Sequence, residues 1–119
     1  MPENSARLVR ITPRARKDLK NIGRYTEQTR GKPQRNLYLK RLETRFKWLA
    51  ASPLLGRHRT EICEGYYSFP EGQHVVFYLI GSETIEIIGT PHKDMDTISY
   101  FSENSRHRIF RCADKKHNR

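Results

Sequence analysis

The stretch VVFYLI at residues 75–80 decides the fold. A continuous apolar run of this length, rich in β-branched and aromatic residues, is typical of a central strand buried on both faces. Pro70-Glu71-Gly72 predicts a turn before the run, and Gly81-Ser82-Glu83 predicts a turn after it. Gly65–Phe69 and Thr84–Ile88 then become flanking strands, so an antiparallel meander is predicted for the back half of the chain.

Upstream of the meander, the sequence predicts a short strand at Arg7–Ile11 followed directly by a helix. The hydroxyl of Thr12 can cap that helix, and Pro13 at its first position loses no hydrogen bond. One apolar stripe at helical spacing follows. Its members are Ala15, Leu19, Ile22 and Tyr25.

A second helix is predicted after Gly31, which interrupts the first pattern, and Pro33 can open it. Ser52-Pro53 ends this helix, because the residue before a proline resists the helical region. Its apolar stripe consists of Leu39, Leu42, Phe46 and Leu49. Two amphipathic helices with a short connection form an antiparallel hairpin. Their apolar stripes must pack against another element, and the predicted sheet is the candidate.

The predicted order is β-α-α-β-β-β, an α+β fold with a helical hairpin packed on a small twisted antiparallel sheet. The 119 residues fit one domain, which we place at residues 1–102. Leu54–Glu64 is predicted to be a loop, and Pro91–Phe101 to close the domain with one helical turn. Residues 103–119 are polar and basic without periodicity, and we expect a disordered tail there.

The net charge of +10 is unevenly distributed along the chain. Residues 7–47 carry fourteen Lys and Arg against three acids, or +11, whereas residues 48–102 carry three bases against seven acids, or −4. A surface this basic favours anionic partners, among them nucleic acids and acidic protein segments. Residues 103–119 carry +4, so the basic surface is predicted on the front half of the chain, which includes the helical hairpin, and on the tail.

No cofactor or metal site is predicted, because Cys63 and Cys112 form no C-x-x-C pair and the histidines lack ligand spacing. Two isolated cysteines suit a reducing cytosol better than a disulfide scaffold. The first ten residues contain no signal-peptide core, and no apolar run reaches the ~20 residues that a membrane span needs. We therefore expect a cytoplasmic protein without a membrane partner.

Three stretches together resemble the ParE-type toxins of the ParE/RelE superfamily, from about Leu8 to Phe101. They are ITPRARKDLKNIGRYT (11–26), SPLLGRHRTEICEGYYSFPEGQHVVFYLI (52–80) and IEIIGTPHKDMD (85–96). The resemblance implies the compact RelE-like fold and a cognate antitoxin that wraps and neutralises the toxin. It also implies action on DNA gyrase and a block of replication, with contact to operator DNA through the antitoxin complex.

Two other functions stay open, because a shared fold does not determine activity. RelE-type relatives cut messenger RNA on the ribosome, and a degenerate relative would bind antitoxin without poisoning the cell. Metal-free RNA cleavage needs a base, an acid and cations on the phosphate. The predicted strands carry Tyr67, Ser68 and Phe69, then Val75, Val76 and Phe77, where such a nuclease would place an arginine.

His92 is the one weak catalytic candidate, and its structural interpretation is favoured. The reversal at Gly89-Thr90-Pro91 is expected to hold it against the sheet, with its ring bonded to a backbone carbonyl or to Asp96. Met95 is interpreted as core filler.

Two binding surfaces are predicted. An antitoxin segment is expected to dock on the basic hairpin through charges and apolar anchors. The residues concerned are Arg14, Lys17, Arg24, Tyr25, Tyr38, Arg41, Leu42 and Arg45. A cationic loop of Arg57, His58 and Arg59 is the predicted contact with gyrase. The alternative for this loop is a solvated segment whose arginines pair with Glu61 or Glu64.

Overall fold

The protein was analysed as a computed structural model that describes residues 6–102. Its strands and helices follow the predicted order, with one added strand and a C-terminal helix. In chain order they are β1 (Leu8–Ile11), α1 (Pro13–Arg30), α2 (Lys32–Ala51), a 3-10 turn (Pro53–Leu55), β2 (Arg57–His58), β3 (Tyr67–Glu71), β4 (His74–Ile80), β5 (Thr84–Gly89) and α3 (Thr97–Ser102).

The five strands form one sheet in the order β1-β5-β4-β3-β2, which makes β4 the central strand. The meander β3-β4-β5 is antiparallel as predicted. Strand β1, however, pairs in parallel with β5, from Leu8 opposite Thr84 to Ile11 opposite Ile87. The predicted sheet is therefore antiparallel in its meander and becomes mixed where β1 joins it, a pairing that the sequence did not indicate.

The two long helices begin where the sequence predicts. The Thr12 hydroxyl accepts a hydrogen bond from the Ala15 amide at 3.2 Å, which caps α1. The same hydroxyl donates to the Ile87 carbonyl at 3.0 Å and so ties the start of α1 to β5. Between the helices, Gly31 adopts φ +92°, a conformation that glycine enters without steric cost.

Both faces of β4 are covered, as the VVFYLI run predicts. Val76 and Tyr78 lie under the helical hairpin, in a cluster with the buried stripes of α1 and α2. Phe77 faces the opposite side and packs against Tyr66 and Phe101. Burial of apolar surface on both faces supplies most of the stabilisation that so small a core can have.

Three local expectations need correction. The segment predicted as a loop contains β2, where Arg57 pairs with Ser68. Pro70, predicted in a turn, lies inside β3, and it is tolerated there because β2 pairs only with Tyr67 and Ser68 and leaves that edge open. Met95, predicted as core filler, lies before α3 and is 49% exposed.

Cys63 is buried, with 4% of its surface exposed. Cys112 and the predicted tail at 103–119 lie outside the described residues. Among residues 6–102, no helix combines the length and apolar character that a bilayer crossing requires.

Candidate functional site

A groove of about 500 Å³ lies between the helical hairpin and the β3-β4 turn, and we call it the hairpin groove. Polar and aromatic side chains line it. They belong to Tyr25, Thr26, Thr29, Arg30, Gln34, Tyr38, Arg41, Gln73, His74 and His92, with Gly72 completing the wall. Tyr25, Tyr38 and Arg41, all predicted to bind an antitoxin, therefore meet in one concavity with His92.

Tyr38 stands at the centre of the hairpin groove and joins α2 to the β3-β4 turn. Its hydroxyl lies 2.7 Å from His74 Nδ1 and 3.0 Å from the Glu71 carbonyl oxygen, and it accepts from the Gln73 amide at 3.1 Å. Burial raises the pKa of Tyr38, so this hydroxyl stays protonated and can donate.

Gly72 is required where Tyr38 meets the turn. It adopts φ +60°, and a Cβ there would lie 2.6 Å from Tyr38 Cε1. A side chain at this position would therefore be strained by the backbone and would also collide with the Tyr38 ring.

His74 and His92 form a pair, although 17 positions of sequence separate them. The Val75 amide donates to the Pro91 carbonyl at 3.0 Å, and the Lys93 amide donates to the Gln73 carbonyl at 2.8 Å. These bonds make the bridge that places the two rings edge to face with centroids 5.4 Å apart. The predicted placement of His92 against the sheet is thus confirmed.

The predicted partner of the His92 ring was wrong. Its Nδ1 accepts from the Asp94 backbone amide at 3.1 Å, rather than bonding a carbonyl or Asp96. Asp96 instead accepts from the Ile98 amide at the start of α3. The second imidazole, His74, was not among the predicted site residues: burial, together with the neighbouring His92 charge, lowers its pKa to about 4.

A second depression of about 300 Å³ adjoins the histidine pair and lies over α1. At its floor the Asp18 carboxylate accepts hydrogen bonds from the Tyr100 hydroxyl and, at 2.9 Å, from the Thr90 amide. Burial and the adjacent Asp18 carboxylate raise the pKa of Tyr100. This contact fastens α3 and the β5 exit to α1, and so it fixes the segment that carries His92.

The charged residues that line the hairpin groove are all basic. Arg30 and Arg41 line it, and none of its lining residues is Asp or Glu. On the β3-β4 side, the Glu71 carboxylate is buried and bonded to Arg41 at 3.2 Å and to Arg45 at 2.8 Å. That pairing orders both arginines and offsets part of their charge.

The remaining predicted antitoxin-binding residues fall into three groups. Lys17 and Arg24 are exposed on α1. Arg14 lies 3.8 Å from the Tyr100 ring centroid and donates to the Tyr100 carbonyl at 3.0 Å, so it helps to hold α3. Leu42 is fully buried in the core, and its prediction as a groove anchor is corrected because it offers no surface to a partner.

The predicted target-binding loop divides into exposed and anchored residues. Arg59 donates to Glu61 at 2.7 Å and to the Ser68 hydroxyl at 3.0 Å, and its side chain is only 18% exposed. His58 stacks on the Tyr67 ring with centroids 4.5 Å apart, and Arg57 is exposed on β2. The structure thus gives Arg59 the structural role that was the alternative for this loop.

A nuclease centre built from His92, Arg57 and Arg59 is not formed. Strand β2 pairs with the first two residues of β3, whereas His74 is opposite Glu71 at the other end of β3. Among the described residues, no cluster of three or more His, Cys, Asp or Glu could hold a metal ion.

The architecture defines a small α+β protein whose basic helical hairpin overlies a five-stranded sheet. The family model for the ParE toxin of the type II toxin-antitoxin system, parDE, matches residues 9–97. Toxin ParE1 of Caulobacter vibrioides is 34% identical over 87 residues, which are 73% of this chain and 90% of that protein. The chain therefore belongs to the ParE toxin family, and it is a ParE-type toxin of a type II toxin-antitoxin system.

Solved structures share the fold. The chromosomal ParDE toxin-antitoxin system from P. aeruginosa superimposes with a TM-score of 0.64 at 14% identity, covering 74% of this chain and 97% of that one. The RelBE2 toxin-antitoxin complex of Mycobacterium tuberculosis gives a TM-score of 0.50 at 24% identity, covering 76% and 94%. These similarities confirm the predicted α+β, RelE-like fold.

Proposed function

We propose that this toxin inhibits DNA gyrase in the cytoplasm, blocks replication, and is neutralised by a cognate antitoxin that occupies the hairpin groove. The family match over residues 9–97 carries this proposal, since ParE-type toxins are the gyrase-directed branch that the sequence resembles. The toxin would act as a protein inhibitor without chemistry of its own. Operator DNA would be reached through the antitoxin complex.

The sheet supports an inhibitor over a nuclease. Val76 and Phe77 on the central strand are fully buried, and so they cannot contact an RNA phosphate. Ser68 on the next strand is buried and accepts from Arg59, which also pairs with Glu61. A cation held in this way has little freedom to stabilise charge that develops in a transition state.

Antitoxin docking in the hairpin groove is supported by its shape and composition. Tyr25 is 68% exposed although it continues the apolar stripe of α1, and it forms one wall of the groove. Aromatic side chains and arginines are the residues that most often dominate protein-protein binding energy. Arg41 lies on the opposite wall, so a peptide segment in the groove would contact both helices.

Gyrase contact is proposed at the exposed surface of the 3-10 turn and β2. Leu54 is 75% exposed and Leu55 57% exposed, and only Gly56 separates them from Arg57 and His58. Arg57→Glu should reduce gyrase inhibition in a purified supercoiling assay by at least about tenfold, because a charge reversal at a contact costs several kcal/mol. Antitoxin affinity should be unchanged, since this surface lies apart from the hairpin groove.

Arg24→Glu is the matched control, as it reverses an exposed arginine on α1. Gyrase inhibition should survive that change. If both reversals weaken inhibition equally, the effect reflects overall charge, and the assigned surface is wrong.

Messenger RNA cleavage is the second candidate, and one observation favours it. His92 is accompanied by His74 and Tyr38, and the groove that holds them also contains Arg30 and Arg41. An acid, a base and cations are therefore closer together than the sequence indicated.

Pulse labelling after induction without antitoxin tests both candidates. Early loss of thymidine incorporation with continuing methionine incorporation supports gyrase inhibition, whereas early loss of methionine incorporation supports RNA cleavage. If neither falls, the chain is a non-toxic relative that retains antitoxin binding. His92→Ala should preserve growth arrest under the first proposal, and loss of arrest in a folded, antitoxin-binding variant would contradict it.

A further inference from the structure

The histidine pair gives the hairpin groove imidazole groups, a type of side chain that can gain or lose a proton near neutral pH, which arginines cannot do. His74 lies on the wall of the hairpin groove and also on that of the neighbouring depression over α1. Its Nδ1 is engaged by the Tyr38 hydroxyl at 2.7 Å, so Nε2 is the ring nitrogen left for an occupant. We propose that the hairpin groove binds the carboxylates of an acidic antitoxin segment, and that His74 takes up a proton when such a segment binds. The inference rests on the proposed antitoxin role of this groove.

The hydrogen bonds around Tyr38 are suited to a protonated His74. The Tyr38 hydroxyl can donate its proton to the Glu71 carbonyl at 3.0 Å, which leaves its oxygen free to accept from His74 Nδ1–H. An imidazolium has two N–H donors, so the Nε2–H would then point to a carboxylate of the bound segment. Every donor of the charged ring is satisfied in that arrangement.

The surroundings of His74 favour its neutral form. Burial lowers its pKa to about 4, and the neighbouring His92 contributes in the same direction. Asp18 on α1 acts in the opposite direction, but its carboxylate is already bonded to the Tyr100 hydroxyl and the Thr90 amide. An incoming carboxylate would supply the opposite charge that this site lacks and would raise the pKa of His74.

The other charged and titratable groups around His74 come from each element packed against it. Helix α1 contributes Tyr25 and Arg30, helix α2 contributes Tyr38 and Arg41, and α3 contributes Tyr100. Asp94 lies on the far side of His92, with its carboxylate 3.8 Å from His92 Nδ1 and 78% exposed. The Glu71 carboxylate is held by Arg41 and Arg45. None of these groups supplies a free carboxylate to His74 from the groove side.

An acidic protein segment is the occupant that these observations favour over nucleic acid. Residues 7–47 carry +11, and the groove is formed chiefly by two helices from that region. The His74 imidazole and the Arg41 guanidinium line the same groove, and both can bind a carboxylate. Gln34 and Gln73 on the same lining offer amide groups to a peptide backbone.

The test is isothermal titration of the full chain with an oligo-aspartate peptide, with oligo-asparagine as the uncharged control. If binding restores the pKa of His74 to its ordinary 6.5, affinity should rise about tenfold from about pH 7.5 to about pH 5.5. Near pH 6.5, comparison of buffers with different ionisation enthalpies should show uptake of about half a proton per peptide.

Two variants distinguish the effect of His74 protonation from the effect of the fixed arginine charge. His74→Gln should abolish the pH dependence and the proton uptake, while Arg41→Gln should weaken binding at every pH and preserve both. His58→Gln removes an imidazole outside the groove and should change neither. Imidazole NMR of the wild-type chain, with and without peptide, reports the His74 pKa directly and does not depend on the fold of any variant.

Affinity that does not change with pH, or pH dependence that persists in His74→Gln, would overturn the proposal. Equal binding of oligo-asparagine would do the same. If a single-stranded oligonucleotide binds with the His74 dependence and oligo-aspartate does not, the groove is a nucleic-acid site instead. These results come from purified protein, so they stand whether or not the chain arrests growth by inhibiting gyrase.

Discussion

Glu71→Gln is predicted to destabilise the fold by loosening helix α2 from the sheet. The Glu71 side chain is only 8% exposed, and its two oxygens bind Arg45 at 2.8 Å and Arg41 at 3.2 Å. The substitution keeps the shape of the side chain and removes its charge. Both arginines then lose their ion pair, and the single amide oxygen of glutamine can accept from them only as an uncharged partner.

The expected cost lies below that of breaking a fully buried ion pair, which is ~3–5 kcal/mol. The Arg41 and Arg45 side chains are 54% and 29% exposed, so water can solvate both once the carboxylate is gone. We expect a loss of about 2 kcal/mol in the free energy of unfolding, from two weakened charged hydrogen bonds. For a domain of this size, that corresponds to a fall of about 10 °C in Tm.

Urea unfolding followed by circular dichroism measures the loss. Glu64→Gln is the control, since the Glu64 side chain is 77% exposed and lies 3.9 Å from His58, and it should cost less than about 0.5 kcal/mol. A double-mutant cycle with Arg45→Gln should give a coupling of about 1 kcal/mol. A Glu71→Gln protein as stable as the Glu64→Gln control would refute the reasoning.

Three further outcomes follow from the same contacts. Gly72→Ala should cost more than Gly65→Ala: both sites have positive φ, but only a Cβ at Gly72 meets the Tyr38 ring, and the difference in unfolding free energy should exceed about 1 kcal/mol. Tyr78→Phe removes a 2.6 Å hydrogen bond to a buried carbonyl and should lower stability by about 1 kcal/mol in the same assay, whereas no loss would mean that water replaces the hydroxyl. Because the folded pKa of His74 is depressed to about 4, its contribution is full above the ordinary pKa of 6.5 and is lost as the pH falls towards 4. Wild type should therefore lose more stability on acidification than His74→Gln, and parallel pH profiles would contradict this.

Much of the fold was predictable because its signals are local. The cap at Thr12, the break at Gly31 and the apolar run at 75–80 each act through neighbouring residues, and the structure confirms all three. Besides the local corrections at Pro70 and Met95, the main error concerns strands that are distant in sequence. Nothing near Leu8 indicates that its strand runs parallel to one that begins at Thr84.

The candidate site was predictable only in part. Tyr25 and Arg41 lie on amphipathic helices whose basic character is visible in the sequence, and they do share a groove. Leu42 was misassigned because the sequence does not show whether an apolar residue on a helix will be buried against the sheet or exposed to a partner. The packing of the hairpin on the sheet buries Leu42 and leaves Tyr25 and Arg41 at the surface.

The sequence by itself determined the family, the order of helices and strands, and the concentration of positive charge on the hairpin, because those properties depend on residue identity and short-range spacing. Only the tertiary structure decided that His74 and His92 meet beside Tyr38, and that Glu71 binds both Arg41 and Arg45. Such pairings require the backbone to bring distant segments within hydrogen-bonding range, and burial then sets their protonation.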